Sequence, residues 1–167
     1  METDNLTLAR RFLAAATQFE RTIRLLSDAQ WELVVPAERR TIGQLVDHIA
    51  WAWEAESAAF RAIAGGASTS GWTQEWLDSR NTAQAQLSRT HSRREIMRHF
   101  HTSCDLAHAF IVSLSPTDLA RTGTHMPGEP ERTVAGWIEG CLIGHPVEHL
   151  PGIEAAAKSA VTRTPGP

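Results

Sequence analysis

The sequence contains few of the residues that build β-sheets or disulfide scaffolds. It has no tyrosine and no run in which β-branched residues alternate with polar ones, which argues against strands. Its two cysteines, Cys104 and Cys141, are too few for a disulfide framework, so we expect a reduced protein of the cytoplasm. No stretch approaches the ~18 uncharged apolar residues of a membrane span, and the charged N-terminus lacks a secretory-signal pattern. These absences favour a helical protein with no membrane partner.

Net charge and chain length further limit the class of protein. The net charge of −3 gives no electrostatic reason to expect binding to nucleic acid or to an anionic membrane. A length of 167 residues favours one domain, which we place at residues 1–160, followed by a flexible C-terminal tail at 161–167. Eight histidines are present, several of them in pairs, and the chemistry is therefore sought among them.

Apolar residues recur at three- and four-residue spacing through most of the chain, a pattern typical of helices with one buried face. Four long helices are predicted, at about residues 5–27, from Thr41 to the Gly65–Gly66 pair, from Ser92 to Leu114, and at about residues 133–160. The second and third open with capping-box patterns, in which Thr41 is paired with Gln44 and Ser92 with Glu95.

The linker between the second and third long helices sets the expected topology. It spans about 26 residues with a further helix predicted near 74–88, which is enough chain to return along a bundle and make those two helices parallel. After the third helix, Ser115 and Pro116 predict one short turn, with serine as N-cap and proline at the first helical position. The predicted fold class is all-α, a four-helix bundle with a long crossover between helices 2 and 3.

Two histidines of the last helix, His145 and His149, fall on its predicted buried face. At 100° per residue they lie about 20° and about 60° around the helix from Val134, on the side of Ile138 and Leu142. Their spacing of four residues places both rings on one side, about one turn apart. Buried imidazoles without partners cost free energy, and a metal ion would satisfy both. The alternative is a pair of ordinary core histidines.

A third histidine, His48, lies on the second long helix beside small residues, which leave room for another group. Three neutral imidazoles from two helices would form an open site, in which zinc or another divalent ion keeps a position for water or substrate. Taken alone, His48 would be interpreted as a hydrogen-bonded boundary residue. The other histidines are less suggestive: His101 and His108 share a predicted solvated flank with Asp105, and His91, His99 and His125 lie at a cap, on a polar face and in a loop.

Pro146 lies between the two histidines of the last helix and disfavours helical geometry at His145. Either the helix is kinked there, which keeps the pair on one face, or one helix ends at His145 and another begins. The segment also matches the H-x-x-E-H pattern of inverted zinc metalloproteases, in which Glu148 would be the general base. That five-residue match is a minor alternative, because those proteases are much larger chains with strands.

The segments that carry the three histidines resemble a known family. The run from Thr41 to Trp51, TIGQLVDHIAW, resembles the helix-2 signature of the DinB-like superfamily, in which such a run ends in the first metal ligand. His145-x-x-x-His149-Leu-Pro-x-Ile resembles the closing H-x-x-x-H segment of the same superfamily. The resemblance covers nearly the whole chain and implies that His48, His145 and His149 are metal ligands.

The resemblance also implies a fold order and a chemistry. It implies an up-down-down-up bundle, often dimeric, with one divalent ion (zinc, nickel or iron) at one end. Characterised relatives include transferases and isomerases that use thiols such as mycothiol or bacillithiol, and self-resistance hydrolases. We therefore expect a thiol S-transferase that joins mycothiol or a similar thiol to an electrophilic small molecule, with a metal-dependent hydrolase as the alternative. By helical register, Trp51, Ala52 and Cys141 would line the pocket.

A second hypothesis is a binding or sequestration protein without turnover. Six tryptophans, at positions 31, 51, 53, 72, 76 and 137, could supply the aromatic walls of a cavity, although tryptophans in a bundle are more often core. Purified protein that holds no metal but still binds a ligand would favour this hypothesis.

Overall fold

The computed structural model describes residues 4–67, 73–125 and 128–161. Its long helices are α1 (Asn5–Arg24), α3 (Ile42–Ala64), α4 (Gln74–Ser88) and α5 (Arg93–Ser113), and α2 (Asp28–Trp31) and α6 (Pro116–Ala120) are short. The last helical stretch runs through α7 (Val134–Trp137), a π-helical segment (Ile138–Gly144) and α8 (His145–Val161). The chain is all-α in class, as predicted. Val161 ends α8, and the rest of the predicted tail lies outside the described residues.

Two very short strand pairs, which the sequence did not predict, accompany the helices. β1 (Val34–Val35) pairs antiparallel with β2 (Arg40–Thr41), and β3 (Thr122–Gly123) pairs in the same way with β4 (Arg132–Thr133). Each pair leads straight into a helix, because Thr41 is the N-cap of α3 and Thr133 is the N-cap of α7. The strands therefore fix where two site-bearing helical stretches begin.

Side-chain caps define most of the helix starts. The predicted capping boxes at Thr41–Gln44 and Ser92–Glu95 are both confirmed, and so is the Ser115 cap of α6. A further capping box, between Ser27 and Gln30, opens α2. That box explains why the first long helix ends at Arg24 rather than near residue 27, since the cap requires extended backbone at Ser27.

One hydrophobic core joins α1, α3, α5 and the last helical stretch. Its largest members are aromatic: Trp53 of α3 meets Phe12 of α1 edge-on at 5.0 Å between ring centroids and Phe100 of α5 at the same distance. All three side chains are fully buried, and burial of this size contributes roughly 1.5–3 kcal/mol for a phenylalanine. Among the described residues, no helix is both long and apolar enough to cross a membrane.

Candidate metal centre

Three histidines from α3 and α8 meet at one place in the structure. The ring centroid of His48 lies 5.1 Å from that of His145 and 5.9 Å from that of His149, and the two α8 rings are 4.8 Å apart. Each ring contributes one nitrogen, and these three nitrogen atoms all lie within 4.8 Å of one another. This histidine triad is the set of ligands that the sequence predicts, and the fold brings all three together.

The π-helical segment explains how Pro146 is accommodated between two histidines of one face. The wider π turn ends at Gly144, and His145 opens α8 with helical dihedral angles of φ −53° and ψ −53°. Pro146 is therefore the second residue of an α-helix, where a missing N–H is tolerated. The helical stretch is continuous through this point, and π-bulges of this kind are frequent at functional sites.

The carbonyl of Leu142, whose α-helical donor is absent because residue 146 is proline, accepts a hydrogen bond from another helix. In an α-helix, the carbonyl of Leu142 would accept from the N–H of residue 146, and proline has none. The indole Nε1 of Trp53 instead donates to the Leu142 oxygen at 3.0 Å, in a fully buried contact. This hydrogen bond ties α3 to the last helical stretch close to the triad.

Burial keeps two of the triad histidines, His48 and His145, neutral. Desolvation, with smaller contributions from the Arg40 charge and from the other two histidines, lowers the pKa of His48 to about 2. Desolvation likewise lowers the pKa of His145 to about 4, with contributions from His149 and Arg40. Neutral imidazole is the form that ligates metals, so these rings are in the ligating form at neutral pH.

A carboxylate orients the third ring. His149 Nδ1 lies 3.0 Å from Glu38 Oε1, and because an ionised carboxylate can only accept, Nδ1 donates and Nε2 is the nitrogen left to ligate a metal. A carboxylate partner of this kind is the usual outer contact of a metal-bound histidine. Glu38 lies in the turn between β1 and β2, in which Arg39 has a φ of 54°, in the left-handed region.

The donor set and one buried atom fit a divalent ion. Within the described part of the chain, His48 Nδ1 is buried and makes no hydrogen bond, although leaving a buried polar atom unpaired costs about 1–3 kcal/mol. Three imidazoles with an open position suit zinc or another first-row divalent metal. The residues present therefore fit a bound metal ion.

The predicted pocket residues occupy different places. Trp51 stacks beside His48 at 6.4 Å between centroids, with the Arg80 guanidinium over its ring, and Ala52 is buried in α3. Cys141 lies on a separate wall, in a cavity of about 320 Å³ that His145 also lines. Glu148 is exposed at the same cavity.

The tryptophans are mostly core. Trp31, Trp53 and Trp137 are at most 3% exposed, whereas Trp51 and Trp76 are half-buried. Trp72 lies outside the described residues. The described tryptophans therefore do not form a continuous aromatic wall, and Trp137 alone of them borders the cavity beside His145.

The remaining histidines divide into three groups. His91 and His99 both contact Asp47, at 3.3 Å and 2.6 Å, and that hydrogen bond to Asp47 raises the pKa of His99. His101 contacts Glu20 on the exposed side of α5, as the predicted solvated flank implies, whereas His108 of the same predicted flank is half-buried. His125 lies in a loop, as predicted, but its side chain is 2% exposed and packs against Trp137, which the sequence did not indicate.

The fold and the site define a helical protein with a histidine-rich candidate metal centre. A family model described as the DinB superfamily matches residues 11–151, and the chain belongs to that superfamily. Comparison with curated proteins and with solved structures found no match.

Proposed function

We propose that His48, His145 and His149 hold one divalent metal ion, zinc, nickel or iron. The observation that carries the proposal is the meeting of three imidazoles, two of them with strongly lowered pKa values, around a buried and unpaired His48 nitrogen. Glu38 supports it, because a carboxylate behind His149 fixes the ring and raises its basicity as a ligand.

We further propose that the protein is a thiol S-transferase, with mycothiol or a similar low-molecular-weight thiol as co-substrate. A divalent ion at the triad would bind the thiol and favour its thiolate form at neutral pH. The sulfur then forms a bond to an electrophilic carbon, whose leaving group departs with the bonding electron pair. The proton released by the thiol passes to solvent or to the Glu148 carboxylate, which faces the cavity beside His145.

The residues of the chain itself shape this reaction in two ways. The cavity of about 320 Å³ next to His145 is within the size range of small-molecule pockets, so it would hold the electrophile. Arg40 carries its charge close to His48 and His145, where it lowers both pKa values. A fixed cation at that position would attract an anionic group of the thiol or of the electrophile.

The same site gives a hydrolase if water rather than a thiol is the nucleophile. The exposed carboxylate of Glu148 favours this alternative, because it lies on the cavity wall where it could take a proton from water. One assay separates the two reactions, since hydrolysis needs no added thiol.

The test uses metal-loaded full-length protein, mycothiol or bacillithiol, and an activated aryl halide as the electrophile. We expect thioether formation above the uncatalysed rate, dependent on metal, lost in His149→Ala and retained in His108→Ala. His108 is the control because it is a half-buried histidine of α5 that does not belong to the triad. No rate above background would refute transfer. Consumption of an ester or epoxide probe without thiol would instead favour the hydrolase, and tight binding without turnover would favour a sequestration protein.

The fold order and assembly belong to the same proposal. We propose that α1, α3, α5 and the last helical stretch run up-down-down-up, that α4 lies in the crossover, and that the protein is cytoplasmic and forms a homodimer. Light scattering of the purified protein measures the assembly: a mass of twice 18.4 kDa is expected, and a monomer mass would exclude the dimer.

A further inference from the structure

A second cluster of metal-ligating side chains lies apart from the histidine triad. Glu56 of α3, His125 after β3 and Cys141 of the π-helical segment each direct one ligand atom to a common place, with all three atoms within 4.8 Å of one another. His125 Nε2 lies 2.5 Å from Glu56 Oε2. His125 is 2% exposed, and the Glu56 side chain is 18% exposed.

The three donors make up a set that zinc commonly binds. Thiolate, imidazole and carboxylate are its ordinary protein ligands, and sites with three protein ligands leave a fourth position open. Bonds of about 2.0–2.3 Å at tetrahedral angles place donor atoms about 3.5 Å apart, so side-chain shifts on the order of 1 Å would close the site. Thiolate ligation also selects against magnesium and calcium.

The cluster has an open side towards a cavity, and the Glu56 carboxylate is a negative charge that favours a cation. The cluster borders the cavity of about 320 Å³ that His145 also lines, so a fourth ligand could enter from there. Burial, with a smaller contribution from the Glu56 charge, raises the pKa of the Cys141 thiol to about 12. The Cys141 thiol is therefore protonated without a metal, and an ion that binds it must release that proton to solvent.

We propose that Glu56, His125 and Cys141 form a second metal site, which takes a thiophilic divalent cation such as Zn²⁺. It is separate from the histidine triad, with which it shares no ligand, and it opens into the same cavity. The alternative without metal is a plain Glu56–His125 ion pair beside an inert buried thiol.

Cobalt absorption tests the site without any assay of activity. Co²⁺ bound to a thiolate shows a sulfur-to-cobalt charge-transfer band in the near-ultraviolet, which imidazole and carboxylate ligands do not produce. Full-length protein loaded with Co²⁺ should show this band, and Cys141→Ser should abolish it. Cys104→Ser is the matched control, because Cys104 is also a half-buried cysteine whose pKa burial raises, to about 11.

Two further variants separate this site from the triad. His149→Ala should keep the charge-transfer band while losing one equivalent of metal, whereas Cys141→Ser should lose the band while keeping the equivalent held by the triad. Glu56→Gln should weaken the Co²⁺ affinity of the cysteine site at least tenfold, with circular dichroism as the check on folding. Absence of the band in the wild-type protein, or a band unchanged by Cys141→Ser, would overturn the proposal and leave the ion pair.

Discussion

Replacing Glu38 changes metal affinity without touching a proposed ligand. Glu38 Oε1 lies 3.0 Å from His149 Nδ1, and its side chain is 35% exposed. Loss of such an outer carboxylate typically weakens metal binding about 10–100-fold. Glutamine keeps an oxygen that can accept from Nδ1 but loses the charge, so Glu38→Gln belongs at the tenfold end. Alanine removes both, so Glu38→Ala belongs at the hundredfold end.

These factors translate into a melting-temperature shift. Tenfold and hundredfold losses of affinity are about 1.4 and about 2.7 kcal/mol, and metal at a thousandfold excess over its Kd stabilises the wild-type fold by about 4.1 kcal/mol. For a chain of this size, each kcal/mol moves the Tm by about 2–4 °C. In that excess of metal, Glu38→Gln should lower the Tm by about 3–6 °C and Glu38→Ala by about 5–11 °C.

The assay is a thermal melt with and without metal, paired with a chelator-competition titration of affinity. Glu32→Gln is the control, since Glu32 is an exposed carboxylate of the connection that also carries Glu38. The metal-free melts of Glu38→Gln and wild type should agree within about 2 °C. Glutamine keeps an oxygen that accepts from His149 Nδ1, so we expect a change in stability of about 0.5 kcal/mol or less. Equal metal affinity in Glu38→Ala and wild type would refute the assignment of Glu38 as the partner of a ligating ring.

Two other predictions concern stability in the absence of metal. Trp53→Phe removes the indole donor from the buried Leu142 carbonyl and should cost about 1–3 kcal/mol in urea unfolding. In a Pro146→Ala background residue 146 regains an N–H, so the cost of Trp53→Phe should fall by about 1 kcal/mol. Strictly additive costs would contradict a connection between the Trp53 hydrogen bond and Pro146. Because His48 and His145 have lowered pKa values in the folded protein, the unfolded chain binds more protons than the folded protein below pH 6.5. The free energy of unfolding should therefore fall as the pH drops from 6.5 towards 4, by up to about 1.4 kcal/mol per pH unit for each ring. His145→Gln should make that slope shallower, and an unchanged slope in urea titrations would contradict the buried neutral state of His145.

Helix patterns in the sequence predicted the parts of the fold that depend on local rules. The capping boxes at Thr41 and Ser92 satisfy backbone amides within four residues, so the sequence alone locates them. The pairing of His145 with His149 also depends on local spacing, because both lie in α8. Bringing His48 to them required the packing of two helices, for which the sequence offered only the small neighbours of His48 and the family resemblance.

The features that the sequence did not predict depend on contacts distant in the chain. Glu38 meets His149 across 111 positions through a turn shaped by left-handed backbone at Arg39, and no spacing rule connects such residues. The burial of His125 follows from packing against Trp137, so its loop position gave no sign of it. The π-helical segment had only an indirect signal, which was the proline at 146 with Gly144 before it.

Metal content tests the central claim most directly. Elemental analysis of untagged protein, purified without chelator, should find that His145→Ala and His149→Ala each lose one equivalent of divalent metal relative to wild type. His108→Ala should lose none, and circular dichroism should show that all variants are folded. Metal content that is the same in wild type, His145→Ala and His149→Ala would contradict the histidine triad as a metal centre.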